Sequence, residues 1–189
     1  MSPFALHLLR HGEPAIMGRM LGRTDCPATP AGIATAVQQA ADLEVETIIT
    51  SDLARARACA EAAGRALGRP VTIDRRWREI DFGAWDGLAA HEIEQGALGR
   101  FWDDPDANPP PQGERWSALV ARVSAAIAGL APRPTLVVTH GGAMRAALAA
   151  LCGFEHRQLW AFELPYAALL SLSIWPGERP TAQIAGLSA

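Results

Sequence analysis

Two histidines stand at the ends of apolar runs, each followed by glycine. Phe4 to Leu9 closes on Arg10-His11-Gly12, and Thr135 to Thr139 closes on His140-Gly141-Gly142. Runs of this length and composition predict buried strands. The Ala-rich stretch after Gly142 predicts a helix. In open α/β sheets, ligands bind beyond the carboxyl ends of the strands, near a reversal of strand order. Imidazoles at two such ends are placed to meet. A helix that opens on Gly-Gly also leaves backbone N–H groups free for an anion. A lone histidine at a strand end is ordinarily a satisfied polar residue. The pairing of Arg-His-Gly with Thr-His-Gly-Gly after a Leu-Val-Val strand is what points to chemistry.

The elements that must position these residues follow from the pattern. Glu13 to Pro30 is broken by glycine and proline and predicts a loop. Thr29-Pro30 supplies an N-cap with proline at the first helical position, opening a helix to about Leu43. Thr47–Thr50 is a short β-branched strand. Ser51 or Asp52 offers a cap for the next helix, which runs to about Leu67 and stops at Gly68. Val71–Ile73 is another strand. Trp77 to Gly87 is irregular and aromatic, and weak helical character returns from Leu88 to about Trp102. Asp103 to Gly113, with four prolines, is a loop. Trp116, Leu119, Val120, Val123 and Ile127 fall at helical spacing between Glu114 and Leu130. Ala167 to Trp175 and Thr181 to Leu187, around a Pro-Gly turn, predict a closing hairpin. The alternation implies a three-layer α/β/α sandwich with a mostly parallel central sheet. One domain over residues 1–189 is expected, with 77–113 as an excursion over the active site.

Composition narrows the function. The 189 residues are 49% hydrophobic and 20% charged, as in an ordinary globular protein, and carry a net charge of −3. No general affinity for nucleic acid or an anionic membrane follows. Lysine is absent, but arginine is spread along the whole chain. Arginine content therefore says nothing about phosphate; only positioned arginines do. Cys26, Cys59 and Cys152 are odd in number and far apart, against a disulfide framework or a zinc site and for a reducing cytoplasm. The first apolar run lacks the basic flank and cleavage site of a signal peptide. No stretch reaches the ~18 apolar residues of a membrane span.

Taken in order, Leu9-Arg-His-Gly-Glu13, Gly22-Arg-Thr-Asp25, Thr29-Pro-Ala-Gly32, Ser51-Asp-Leu-Ala-Arg55, Arg78-Glu-Ile-Asp-Phe-Gly83 with Trp85-Asp-Gly87, and Thr139-His-Gly-Gly142 cover most of the chain. Together they resemble the histidine phosphatase superfamily, which includes cofactor-dependent phosphoglycerate mutases and alpha-ribazole-5'-phosphate phosphatases. The resemblance implies a phosphoglycerate mutase-like fold and a metal-independent phosphomonoesterase with no cofactor. It implies His11 as the nucleophile of a phosphohistidine intermediate and Glu79 as the acid that protonates the leaving group. It implies Arg10, Arg55 and His140 as phosphate ligands, to which the free backbone N–H at Gly141 adds a fourth. A phosphate monoester is a dianion, which arginine binds bidentately while staying charged. His11 must be neutral at its attacking nitrogen, which a hydrogen bond from the other nitrogen to a carbonyl would secure. A protonated His140 is expected to share the growing oxyanion charge.

The resemblance has departures. Met17 stands where many relatives carry a phosphate-contacting asparagine, and Gly113-Glu114-Arg115 replaces a Gly-Glu-Ser, leaving the role of Arg115 open. Trp77, Trp85 and Trp102 are expected to be packing residues. His7 is expected to be structural, His91 and His156 to lie on the surface, and Cys59 to be inert. Leu88 to Gln112 has one basic side chain besides His91, namely Arg100. Mutase relatives hold a substrate carboxylate there, so a phosphatase is favoured over a mutase. A non-catalytic phosphate-binding regulatory domain is the alternative of another class. The short excursion is most similar to the alpha-ribazole-5'-phosphate type, which implies a small phosphorylated substrate and cobalamin biosynthesis. The closing hairpin offers an edge for a homodimer.

Overall fold

The computed structural model describes residues 2–189. Six strands form one sheet: β1 (Phe4–Arg10), β2 (Thr47–Thr50), β3 (Val71–Ile73), β4 (Thr135–Thr139), β5 (Leu169–Trp175) and β6 (Thr181–Ser188), ordered β3-β2-β4-β1-β5-β6. The first four in that order run parallel, and β5 and β6 add as antiparallel neighbours. Helices α1 (Pro30–Ala40) and α2 (Ala54–Leu67) pack on one face. Helices α4 (Trp116–Ala128) and α5 (Gly141–Cys152) pack on the other, with α3 (Gln95–Asp103) beside them. Leu8 belongs to the second core and Leu9 to the first, because successive strand side chains point to opposite faces. All of β4 is buried, as a central parallel strand covered on both sides must be. The result is the α/β/α sandwich with a mostly parallel sheet that the alternation predicts.

Chain order explains where ligands can sit. After β1 the chain crosses to β2 and β3, then returns to insert β4 between β2 and β1. The carboxyl ends of β1, β4 and β2 thus lie side by side, and they lead into His11, His140 and Ser51.

Several boundaries differ from expectation for local reasons. Thr29 caps α1 as predicted, its Oγ1 accepting from the Gly32 N–H at 2.9 Å. That helix ends at Ala40, where the chain tightens into turns through bonds such as Leu43 N–H to the Ala40 carbonyl. Neither Ser51 nor Asp52 caps α2. Leu53 is its N-cap, and the carboxylate comes from the distant Asp25, whose Oδ1 accepts from the Ala54 N–H at 2.7 Å. Asp52 instead pairs with Arg75 and Arg78. The irregular aromatic region resolves into three 3-10 turns at Arg75–Trp77, Gly83–Trp85 and Ala90–Glu92 before α3. β5 begins at Leu169 because Ala167 turns left-handed, with φ of 60°. In that conformation its N–H donates to the His11 carbonyl at 3.1 Å, tying the turn to the end of β1.

Candidate active site

His11 and His140 meet. Their ring centroids are 5.1 Å apart, edge to face, and both residues are almost wholly buried. His11 Nδ1 lies 2.7 Å from the carbonyl of Gly12. A carbonyl only accepts, so Nδ1 carries the proton and Nε2 holds the lone pair. Burial, the Arg55 guanidinium and the Arg10 guanidinium together push His11 down to about 3. The turn after His11 is built tightly: a Cβ on Gly12 would stand 2.0 Å from the Gly32 carbonyl oxygen, so only glycine lets α1 approach this closely. The Gly12 N–H donates to Cys59 Sγ at 3.3 Å, and burial raises the Cys59 thiol. Cys59 thus supports the turn from below.

His140 is fully buried. Its Nε2 lies 2.7 Å from Ser51 Oγ, while Nδ1 is buried with no partner. Burial, then Arg55, His11 and Arg10, hold His140 well below the usual histidine range. These surroundings disfavour the imidazolium expected there. From sequence Ser51 reads as a helix cap and as the start of the Ser51–Arg55 stretch; in the fold it orients His140.

The two arginines are present but differ. Arg10 Nη1 donates to the Leu164 carbonyl at 2.6 Å, its guanidinium lies 4.2 Å over the Tyr166 ring, and its Nε is buried without a partner. The Tyr166 ring also lies 5.5 Å from that of His11. Arg55 is fully buried, and its fork is largely committed. Nη1 donates to the Thr24 carbonyl at 3.0 Å, and Nη2 to those of Leu21 and Gly22 at 2.7 and 3.1 Å. Its Nε remains without a partner. Arg55 thus offers an edge to a ligand where a free bidentate fork was expected. Burial lowers both guanidiniums, and the Glu79 carboxylate opposes that shift.

Glu79 lies at the start of α5. Its Oε2 accepts from the Gly142 N–H at 3.1 Å and its Oε1 from the Ile80 N–H at 2.8 Å. A Cβ on Gly142 would stand 2.1 Å from Oε1, so glycine makes room for the acid. Of the two backbone donors expected for an anion, the one at Gly142 is taken by Glu79, leaving the Gly141 N–H. The segment bearing Glu79 is braced by Arg122, which donates to the carbonyls of Arg76, Arg78 and Glu79, each at 2.8 Å. Arg122 in turn forms a bidentate pair with Glu114 at 2.7 and 2.9 Å. Neighbouring Arg115 donates to the Asp106 carbonyl at 2.6 Å, closing the proline-rich loop instead of reaching the cup. Met17 is exposed on its loop and does not line the cup.

Other residues here were missed or misplaced from sequence. Arg10 and Glu79 separate the histidine cup from a second chamber lined by Phe82, Phe101, Trp102, Trp116, His156 and Trp160, with Arg145 on its wall. Trp77 and Trp85 pack in the core as expected, but Trp102 does not. His156 belongs to this chamber, not to the open surface. His7 bonds Ser171 Oγ at 2.8 Å and is structural. Arg145 was legible only as five residues after His140, one helical turn further along α5. Tyr166 had no sequence signal.

A sheet with paired imidazoles, unpartnered guanidinium nitrogens and a helix N-terminus at its carboxyl end defines a phosphate-handling α/β protein. Comparison with known proteins gives the family. Residues 6–185 match the Histidine phosphatase superfamily (branch 1). The chain belongs to this superfamily and is an enzyme of the phosphoric monoester hydrolase class. It is 35% identical over 167 residues to a glucosyl-3-phosphoglycerate phosphatase of Mycolicibacterium vanbaalenii, covering 78% of this chain and 74% of that one. It is 32% identical over 160 residues to a probable phosphoglycerate mutase GpmB of Salmonella arizonae, with the same coverage of 78% and 74%. Among solved structures, a mycobacterial glucosyl-3-phosphoglycerate phosphatase superposes with a TM-score of 0.85 at 28% identity, over 97% of both chains. A putative alpha-ribazole-5'-P phosphatase from Escherichia coli does so with a TM-score of 0.84 at 25% identity, over 98% of this chain and 96% of that one. No helix among the described residues is long and apolar enough to cross a membrane.

Proposed function

We propose that this enzyme hydrolyses a small-molecule phosphomonoester through a phosphohistidine on His11 Nε2. The observation that carries it is the neutral His11 ring, its Nδ1 proton held by the Gly12 carbonyl and its Nε2 left as the lone pair beside Arg10, Arg55 and His140. Nε2 attacks phosphorus, the bond to the ester oxygen breaks, and Glu79 delivers a proton to the leaving alkoxide. Water then attacks phosphorus, Glu79 takes its proton, the P–N bond breaks and inorganic phosphate departs. Arg10, the Arg55 edge and the Gly141 N–H hold the equatorial oxygens. Ser51 donates its hydroxyl proton to His140 Nε2, which leaves Nδ1–H free to donate to the phosphoryl group.

Alpha-ribazole 5'-phosphate is the first named candidate substrate, supported by the solved alpha-ribazole phosphatases of similar structure. That substrate would place the enzyme in cobalamin biosynthesis. Three free cysteines suit work in a reducing cytoplasm. A phosphoglycerate has one observation in its favour: Arg145 has no carboxylate partner and could meet an acid group. The aromatic wall around it weighs the other way.

The test is a panel of phosphomonoesters, alpha-ribazole phosphate and 3-phosphoglycerate included, assayed in EDTA with and without bisphosphoglycerate. Phosphate release, with acid-labile label trapped on His11 and lost in His11→Ala, supports the proposal. Interconversion of phosphoglycerates without release makes it a mutase, and inactivation by EDTA contradicts the mechanism.

A further inference from the structure

The chamber on the far side of Glu79 from His11 is where an ester's alcohol must lie if Glu79 protonates its oxygen. We propose that this alcohol carries a planar aromatic ring system, gripped by Trp102, Trp160 and Trp116; this rests on the phosphatase function above and names the substrate class.

Three features support it. First, Trp102 and Trp160 are 40% and 46% exposed, yet their rings sit 5.3 Å apart, edge to face, at the chamber mouth. Half-exposed indoles at one opening leave large apolar faces in water, which a stacked ring would cover. Second, the wall continues inward as Trp116, Phe82 and Phe101, whose rings offer a sugar or a short polyol no hydrogen-bond acceptor and, at Trp116, a single N–H donor. Third, two polar nitrogens on this wall have no partner among the described residues. His156 stands between Trp116 at 5.3 Å and Trp160 at 6.0 Å, with its Nδ1 buried and unbonded. Arg145 lies 4.3 Å over the Trp160 ring, with its Nε likewise unbonded. A flat apolar body with one or two polar edge atoms satisfies both nitrogens while filling the apolar walls.

Matched alkyl esters test this without changing the leaving oxygen. The kcat/KM for 2-(naphth-1-yl)ethyl phosphate should exceed that for butyl phosphate by tenfold or more. The ratio should fall about tenfold in Trp160→Ala and in Trp102→Ala, the loss expected for one aromatic stacking contact. Trp160→Phe should keep most of it. Both tryptophans are half-exposed, so circular dichroism should show folded variants. A wild-type ratio near one, or a ratio unchanged in both alanine variants, overturns the proposal while phosphohistidine on His11 leaves the phosphatase standing. No turnover of either ester and no phosphohistidine removes the phosphatase function, and this inference with it.

Discussion

Replacing Ser51 by alanine removes one hydrogen bond and should disable a histidine that it never carries through the reaction. Ser51 and His140 are both fully buried, and their 2.7 Å contact gives His140 Nε2 its one partner among the described residues. With Nδ1 already unpartnered, the variant ring has no fixed nitrogen. Stranding a buried imidazole nitrogen costs about 1–3 kcal/mol of stability. For a chain of this length a loss of about 2 kcal/mol lowers Tm by roughly 4–8 °C. Complete loss of a positioned donor to a developing oxyanion costs ~10²–10³ in rate. The variant keeps its ring and loses only its orientation, so kcat should fall less, by about tenfold to a hundredfold. Steady-state kinetics and thermal denaturation measure both effects. Adding Ser51→Ala to His140→Ala should lower kcat less than about twofold further, because coupled residues are not additive. A Ser51→Ala enzyme with near wild-type kcat, or the full loss repeated in the His140→Ala background, would refute the role assigned to Ser51.

Glu79→Gln should lower kcat on alkyl phosphates by about 10²–10⁴, with far less effect on p-nitrophenyl phosphate, whose leaving group needs no proton. Equal losses on both would show that Glu79 is not the acid. Arg122→Met leaves Glu114 without its cation; their side chains are only 18% and 13% exposed, so about 3–5 kcal/mol should be lost in urea denaturation. An unchanged urea midpoint would mean that the brace is not needed. Acid should destabilise the fold through its histidines. His11 and His140 are depressed in the folded state, so below about pH 6.5 the unfolded chain binds protons that the folded one refuses. For His11, pushed down to about 3, the cost between pH 7.5 and 5.5 should be about 1 kcal/mol, a loss that His11→Asn should reduce when ΔG is measured across that range.

The fold was legible because its strands are strongly patterned and its helices are punctuated. Thr29-Pro30, Gly68 and Gly153 mark helix ends, and the two latter carry positive φ. What sequence could not supply was contact between distant segments. Asp25 caps a helix that begins 29 residues later, so Asp52, the nearer acid, looked like the cap. The Arg55 fork is spent on carbonyls 31 to 34 residues upstream, which no local pattern reveals. Trp116 looks like a core residue from its spacing, because periodicity separates buried from exposed but not core from pocket. Tyr166 reaches Arg10 and His11 only because Ala167 adopts a left-handed turn, a conformation that alanine does not advertise.

The charge of the cup explains why a neutral His140 serves better than the imidazolium expected from sequence. Burial, then the Arg55 guanidinium, the His11 ring and the Arg10 guanidinium, hold His140 well below the usual histidine range. A buried imidazolium beside two guanidiniums would bear an uncompensated desolvation cost. Ser51 answers that by fixing a neutral donor at Nδ1. Carbon-13 labelling of the histidines should therefore show His11 and His140 neutral in the free enzyme from pH 7.5 down to pH 5. A resonance that titrates between pH 6 and 7 in the wild type and vanishes in His140→Asn would place a cation at His140 and refute the neutral donor.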